Sequence, residues 1–128
     1  MIVGLGVDLV EIARVRRLLD SRGDRAIARL FTEGERAYAH YRVDPARHLA
    51  ARIAAKEAAF KALAGTDLAR RIGWRELEVF ARHDGSPLLR LHGRAEQRAT
   101  ELGVTRILVT ISHTDVAAVA VVVLERGA

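Results

Sequence analysis

The sequence predicts an α+β fold, a compact single domain of residues 1–128 with a mainly antiparallel sheet packed on a long central helix. Apolar runs of strand length occur near both ends of the chain, in residues 2–10 and 105–125. Between them, residues 45–64 form an alanine-rich stretch of helical length. The later strands follow one another through short turns, which indicates antiparallel hairpins rather than parallel β-α-β units.

The N-terminal part of the chain is predicted to form one strand and two helices. Residues 2–10 are rich in β-branched side chains and leucine, which is typical of a buried strand. From Glu11 onward, apolar residues recur at helical spacing and predict an amphipathic helix that ends near Gly23. Thr32 and Glu35 have the spacing of a capping box, in which each side chain bonds a backbone N–H at the start of a helix.

The central helix is expected to begin at Asp44 and Pro45, an N-cap residue followed by proline at the first helical position. It should run to about Ala64, where Gly65 provides a stop. Alanines cover one side of this helix, and a stripe of larger apolar residues covers the other: Leu49, Ile53, Phe60 and Leu63. A helix that is apolar nearly all round is buried on several sides. Its polar groups are therefore expected in enclosed surroundings: Arg52, Lys56, Glu57 and Lys61.

The C-terminal half is predicted to form two hairpins separated by a helix. The strands are expected at 76–80, 88–91, 105–112 and 117–125, and the helix at 94–102. Asp84-Gly85-Ser86-Pro87 supplies the turn of the first hairpin, and Gly103 should end the helix.

The composition is that of a globular protein, since 50% of the residues are hydrophobic and 29% are charged. The absence of cysteine excludes a disulfide framework and thiolate metal clusters. The apolar run at 116–124 is too short to span a bilayer, and the N-terminus lacks the basic region of a signal peptide, so we expect a cytoplasmic protein. The net charge of +5 indicates an acidic partner, although arginine enrichment equally reflects genome base composition.

Two carboxylates stand among apolar neighbours, Asp8 in the first strand and Glu57 on the central helix. An ionised carboxylate in such a setting is costly unless it is paired or binds a cation. With Lys61 one helical turn beyond Glu57, the pattern suggests a magnesium site that holds a phosphorylated substrate. These residues also have interpretations that involve no ligand. Asp8 is suited to capping the next helix, and Glu57 and Lys61 to an ordinary i,i+4 salt bridge.

Other candidate motifs are excluded by their context. Gly4 and Gly6 match the start of a dinucleotide-binding loop, but no third glycine follows and Asp8 stands where a helix should begin. Ser112 and His113 are neighbours in a strand and point to opposite faces, which argues against a nucleophile–base pair. The histidines lack the paired spacing of a zinc site.

Together these segments resemble the small bacterial holo-acyl-carrier-protein synthases, a family of 4′-phosphopantetheinyl transferases. The matching segments follow in the same order over nearly the whole chain. They are Gly4-Leu5-Gly6-Val7-Asp8-Leu9-Val10-Glu11-Ile12, Phe31-Thr32-Glu33-Gly34-Glu35, Arg52 to Leu63, Trp74-Arg75-Glu76-Leu77-Glu78-Val79, Gly85-Ser86-Pro87 and Ile111-Ser112-His113-Thr114. The first and third segments are the most specific. The chain departs from the family pattern at Ala64, an additional residue before Gly65.

The resemblance implies the 4′-phosphopantetheinyl transferase fold and transfer of 4′-phosphopantetheine from coenzyme A to a serine of an apo-acyl carrier protein, which serves fatty acid or polyketide synthesis. Adenosine 3′,5′-bisphosphate is the other product. Carried over by position, Asp8 and Glu57 hold Mg²⁺ and Lys61 contacts the pyrophosphate. Glu57, or a water on the metal, is the general base. Further contacts with coenzyme A are implied for Arg52, Lys56 and His113.

The resemblance also implies a homotrimer with active sites between subunits, and the apolar residues 119–123 suit either an interface or a core. The exposed side of the first helix carries Arg14 and Arg17 close to Asp8, so we expect it to bind the acidic carrier protein. The alternative function is a small basic nucleic-acid-binding module. The chain lacks clustered aromatic residues for base stacking, and buried carboxylates do not suit a phosphate-binding face, so we expect no nucleic-acid partner.

Overall fold

The computed structural model describes residues 1–127, and of Arg22 only the backbone. It confirms the α+β class. The strands are β1 (Ile2–Glu11), β2 (Leu77–Ala81), β3 (Pro87–Leu91), β4 (Val104–His113) and β5 (Ala117–Arg126). The helices are α1 (Ile12–Leu30), α2 (Glu33–His40), α3 (Pro45–Leu63), α4 (Asp67–Arg70) and α5 (Gly93–Leu102), with a 3-10 turn at Trp74–Glu76.

The strands form two antiparallel sheets. The first has the order β1-β5-β4, and its strands β4 and β5 form a hairpin. The second is the hairpin of β2 and β3. Both predicted hairpins are therefore present. The long helix α3 packs against β1 and β5 and lies at the centre of the molecule, as predicted.

Gly4 and Gly6 allow β1 to contact α3 at backbone distance. A Cβ atom on Gly6 would overlap with the carbonyl group of Ala58, and one on Gly4 would overlap with that of Ala62. The two glycines therefore serve the packing of a helix on a strand. Because alternate residues of a strand share a face, Asp8 also points toward α3.

The face of the three-stranded sheet that points away from α3 is apolar and exposed. The side chains of Leu5, Val7 and Leu9 in β1 lie on this face and are between 55% and 67% exposed. They pair in register with half-exposed residues of β5, which are Val123, Val121 and Val119. The intervening residues of β5 are buried, so the last strand contributes both to the core and to this outer face.

The first two helices match the predictions in part. At Gly23, with φ 60° and ψ −143°, the helix kinks and then continues to Leu30. The predicted end near Gly23 is therefore a kink, because glycine adopts this conformation and the following residues regain helical geometry. The capping box of α2 is confirmed. The hydroxyl of Thr32 accepts from the N–H of Glu35 at 3.2 Å, and Glu35 Oε1 accepts from the N–H of Thr32 at 2.9 Å.

The ends of α3 are held by two arginines from other helices. The helix begins at the predicted proline, but the carboxylate of Asp44 makes no capping bond because Arg16 binds both of its oxygens, at 3.0 and 2.8 Å. At the other end, Arg98 donates to the carbonyls of Leu63 and Ala64. This side-chain cap accommodates the additional residue Ala64.

Two short elements lie beyond the reach of sequence patterns. The helix α4 has a single turn, capped by the hydroxyl of Thr66 that accepts from the N–H of Ala69. The 3-10 turn at Trp74–Glu76 is shorter still. Neither is long enough to show helical periodicity. Over residues 1–127, the helices are all too short or too polar to cross a membrane.

We expect Gly6→Ala to destabilise the protein strongly, because its Cβ would meet the backbone of α3 rather than a movable side chain. Overpacking costs about 1–3 kcal/mol of unfolding free energy, and a backbone collision belongs at the upper end. Urea unfolding followed by circular dichroism measures the loss. Gly34→Ala is the matched control, since its Cβ meets side-chain atoms instead of a neighbouring backbone, Glu78 Oε2 at 3.2 Å and Thr32 Oγ1 at 4.0 Å. Equal stability of the two variants would contradict the close contact of β1 and α3.

Candidate active site

The two predicted carboxylates, Asp8 and Glu57, lie together at the contact of β1 and α3. Both side chains are partly buried and close enough to share a hydrogen bond. Asp8 follows Gly6 on the same face of β1, and Glu57 directly precedes Ala58, whose carbonyl Gly6 approaches. Asp8 does not cap the next helix, because Glu11 occupies the N-cap position and α1 has no side-chain cap.

Lys61 joins the two carboxylates in one cluster. Its Nζ lies 2.9 Å from Asp8 Oδ1 and donates to the carbonyl of Val7 at 3.1 Å. The salt bridge of Lys61 thus reaches across to β1 instead of following the i,i+4 spacing to Glu57. The side chain of Lys61 is 55% exposed, and exposed ion pairs of this kind are weak, so the ammonium can leave Asp8 at little cost in free energy.

The second carboxylate oxygen of Asp8 is an unusual feature of this cluster. When both carboxyl groups are ionised, Oδ2 is buried and has no hydrogen-bond donor among the described residues. Buried acceptors of this kind are uncommon in folded proteins and often mark a missing ion or ligand. Mg²⁺ suits the position, because it binds one or two carboxylates and takes its other ligands from water and substrate phosphate. The described part of the chain contains no group of three or more acidic or histidine side chains arranged for a metal.

Asp8 and Glu57 titrate as a pair. The hydrogen bond with Asp8, burial, and the negative charge of Asp8 together raise the pKa of Glu57 to about 7. Burial would also raise the pKa of Asp8, but the hydrogen bonds from Glu57 and Lys61 outweigh it and lower that pKa. The pair therefore holds one shared proton near neutral pH. A cation bound between the two carboxylates would take the place of that proton.

Two cavities meet at Glu57 and Trp74. The first has a volume of about 370 Å³ and is also lined by Phe60, Lys61 and Arg70. Ligand pockets have volumes of this order and combine an apolar lining with a few polar groups. The cationic groups of Lys61 and Arg70 beside aromatic rings fit an anionic ligand that also has an apolar part.

The second cavity lies along α1 and has a volume of about 440 Å³. Glu57 and Trp74 line it together with Arg14 and Arg17, both of which are exposed as predicted. The charge of Arg14 acts on Glu57, where it partly offsets the rise of the pKa. The structure thus places the basic side of α1 beside the carboxylate cluster.

The structure gives Lys56 an internal role. Its Nζ is fully buried, lies 2.6 Å from Glu35 Oε1, and donates to the carbonyls of Leu30 and Trp74 at 2.8 and 2.9 Å. Burial lowers the pKa of Lys56, and the carboxylate of Glu35 opposes this effect. The three donors of an ammonium are all used within the protein, and Lys56 also borders the first cavity, so its predicted contact with coenzyme A stays a prediction.

Arg52 and His113 lie away from the carboxylate cluster. Arg52 is 5% exposed, and its guanidinium lies 4.1 Å from the ring centroid of Tyr38. His113 ends β4 and pairs with Ala118 of β5, which in turn pairs with Val10 of β1. Two strand spacings, about 10 Å, therefore separate His113 from β1. Neither Arg52 nor His113 lines the two cavities at Glu57.

Several residues of the first cavity were not predicted from the sequence, among them Phe60, Arg70 and Trp74. Phe60 was expected in the core stripe, but it is 39% exposed because it borders the cavity. Arg70 belongs to the single-turn helix α4, which has no sequence signal of its own. Trp74 could have been found, since it is the only tryptophan of the chain and begins one of the family-like segments.

Comparisons with known proteins point to one family over nearly the whole chain. A model of the 4′-phosphopantetheinyl transferase superfamily matches residues 4–122. The chain is 53% identical to a holo-[acyl-carrier-protein] synthase of Alkalilimnicola ehrlichii over 98% of both chains. Its fold is similar to the crystal structure of holo-[acyl-carrier-protein] synthase from Neisseria meningitidis, with a TM-score of 0.86 and 27% identity over 98% of this chain and 100% of that one.

A second solved structure of similar fold was determined with a ligand bound. The holo-(acyl-carrier-protein) synthase from Bacillus anthracis, crystallised in complex with CoA (3′,5′-ADP), has a TM-score of 0.80 and 32% identity over 99% of both chains. The alternative function of a nucleic-acid-binding module finds no support in these comparisons.

In protein kept free of metal by a chelator, the melting temperature should fall as the pH rises from about 5 to about 8. Glu57 has its ordinary pKa of 4.5 in the unfolded chain and a pKa of about 7 in the folded protein. The folded state holds the proton more tightly, so this stabilisation is complete below pH 4.5 and is lost as the pH rises through about 7. Glu57→Gln should remove this component. Parallel melting profiles of the two proteins across the pH range would contradict the carboxyl pair.

Proposed function

The chain belongs to the 4′-phosphopantetheinyl transferase superfamily, and from this premise we propose that it transfers 4′-phosphopantetheine from coenzyme A to a serine of an apo-acyl carrier protein. The observation that carries the proposal is the cluster of Asp8, Glu57 and Lys61 at the junction of two cavities. The first cavity takes coenzyme A and the second admits the carrier. We place the reaction in fatty acid biosynthesis in the cytoplasm.

The transfer requires positioning and the neutralisation of charge. The serine oxygen bonds to the β-phosphorus of coenzyme A, and the bond from that phosphorus to the bridging oxygen breaks, which releases adenosine 3′,5′-bisphosphate. Glu57 lines both cavities and is placed to accept the serine proton. Lys61 and Arg70 border the first cavity, where their charges stabilise the phosphates.

Mg²⁺ fits the two carboxylates because Asp8 Oδ2 is a buried acceptor without a partner among the described residues. Asp8 and Glu57 would hold the ion, which when bound supplies positive charge to the phosphates. Lys61 would then leave Asp8 Oδ1 and contact the pyrophosphate. Because the side chain of Lys61 is exposed, this exchange costs little free energy.

Asp8→Asn and Glu57→Gln should each lower transfer at least about 100-fold, because each removes a charge from the group that orients and balances the phosphates. Mass spectrometry of an apo-carrier protein incubated with coenzyme A, Mg²⁺ and each variant measures the product. Asp20→Asn is the control, since it makes the same change at an exposed position of α1. A folded Glu57→Gln protein with full turnover would contradict the assigned site.

We propose that the active form is a homotrimer, as the family resemblance implies. The support in this chain is the exposed apolar face of the three-stranded sheet. Full burial of an exposed valine or leucine contributes about 1.5–3 kcal/mol, and each of these partly exposed side chains would contribute a part of that. Exposed apolar patches of this kind mark interfaces. His113 lies at the end of β4 in that sheet, and Arg52 lies outside the two cavities of its own copy. His113 would then contact coenzyme A bound at a neighbouring subunit, whereas the contact predicted for Arg52, which is 5% exposed, stays a prediction.

Light scattering of the wild-type protein should give about three times the chain mass of 14.1 kDa. Val121→Lys should dissociate the trimer, because it places a charge in the centre of the exposed apolar face. Val116→Lys is the matched control, since Val116 is 69% exposed in the turn before β5. A wild-type monomer at micromolar concentration would refute the trimer, as would a Val121→Lys protein of unchanged mass.

We propose that the carrier protein binds the side of α1 that carries Arg14 and Arg17. Both arginines line the second cavity with Glu57, so a carrier bound there would bring its serine to the proposed base. Exposed charges at the rim of an interface mainly steer association and act less as salt increases.

Arg14→Glu with Arg17→Glu should raise the KM for the carrier about tenfold or more and flatten its salt dependence, while the KM for coenzyme A changes little. Steady-state kinetics at several salt concentrations measure both constants. Arg25→Glu with Arg29→Glu gives the same change of charge at exposed positions of α1 that border neither cavity. Equal carrier kinetics in the two double variants would show that the carrier binds elsewhere.

A further inference from the structure

Trp74 forms part of the wall shared by the two cavities, and the buried side chain of Lys56 binds its backbone. Trp74 lines both cavities, and its carbonyl accepts a hydrogen bond at 2.9 Å from Nζ of Lys56. Lys56 directly precedes Glu57 on α3, and its side chain is completely buried. One ammonium group therefore connects the helix that carries Glu57 to the turn that carries Trp74.

The same ammonium binds the elements behind this wall. It donates to the carbonyl of Leu30 at the end of α1 and pairs with Oε1 of Glu35 in α2. Glu35 in turn accepts hydrogen bonds from the N–H groups of Thr32 and Val79, each at 2.9 Å. All three donors of Lys56 and both oxygens of Glu35 thus have partners, which makes this a satisfied and rigid network.

Stability alone is a poor explanation for this arrangement. A buried ion pair loses hydration, and apolar residues of similar volume often stabilise a protein as well or better. An apolar residue at position 56 would fill the same space, but it could not hold the carbonyl of Trp74. A contact with substrate does not explain it either, because the ammonium has no donor left.

We propose that Lys56 is a positioning residue. Its hydrogen bond to the carbonyl of Trp74 holds the wall shared by the two cavities, so that coenzyme A on one side and the carrier serine on the other meet at Glu57. The effect on turnover rests on the proposed function, whereas the placement of Trp74 does not.

The position of Trp74 can be measured directly, because it is the only tryptophan of the chain. Its emission maximum and its quenching by acrylamide report how firmly the wall is held. Lys56→Met should shift the emission to longer wavelength and increase quenching at temperatures where the protein is folded. It should also lower kcat/KM for transfer at least tenfold.

Two further variants separate positioning from stability. Lys56→Met leaves the charge of Glu35 without its partner, so the double variant Lys56→Met with Glu35→Gln should recover much of the melting temperature. It should recover neither the emission of Trp74 nor the turnover. Val122→Ala is the stability control, because Val122 is a fully buried residue of β5 that lines neither cavity. It should lower the melting temperature and leave the emission and turnover close to those of the wild type.

Several outcomes would overturn the proposal. They are an unchanged emission of Trp74 in Lys56→Met, a fall in turnover no larger than that of Val122→Ala, and full recovery of turnover in the double variant. If neither Lys56 variant folds, the pair serves folding instead of positioning, and the proposal is again overturned. A wild-type protein that transfers nothing would refute the proposed function, and the emission measurements would still decide whether Lys56 holds Trp74.

Discussion

The contact between the backbones of β1 and α3 is the constraint on which the rest of the structure depends. Gly6 has no side chain at the point where it meets the carbonyl of Ala58. Asp8 follows on the same face of the strand, and Glu57 stands next to Ala58 on the helix. Because one contact sets the separation of the two elements, it also sets the separation of the two carboxyl groups. Packing of the core and geometry of the site are therefore determined by the same atoms.

The helix α3 carries two charged clusters with different properties. The cluster of Lys56 and Glu35 is closed, since every donor and acceptor in it has a partner within the protein. The cluster of Asp8, Glu57 and Lys61 is open: it borders two cavities, and it leaves a buried oxygen without a partner among the described residues. A satisfied network gives rigidity, whereas an unsatisfied one has capacity for a ligand. Lys56 of the closed cluster directly precedes Glu57 of the open cluster on α3, so the rigid network is joined to the site through the backbone of this helix.

The features that depend on neighbouring residues were predictable from the sequence. The hairpins and the capping box of Thr32 and Glu35 belong to this group, and the pairing of Asp8 with Glu57 followed from the family resemblance. Features that depend on distant elements were not predictable. Helical spacing pairs Lys61 with Glu57, but the fold brings it to Asp8 instead. The enclosed surroundings predicted for Lys56 are confirmed, but its partners in α1, α2 and the turn of Trp74 lie far away in the chain and could not be predicted.

The central claim is that Asp8 and Glu57 share one cation at the contact of β1 and α3. Binding of Mn²⁺, followed by electron paramagnetic resonance in the presence of coenzyme A, tests this claim without any need for turnover. The account predicts about one bound ion per chain in the wild-type protein, and binding at least about tenfold weaker in both Asp8→Asn and Glu57→Gln. Unchanged Mn²⁺ affinity in either folded variant would contradict the claim.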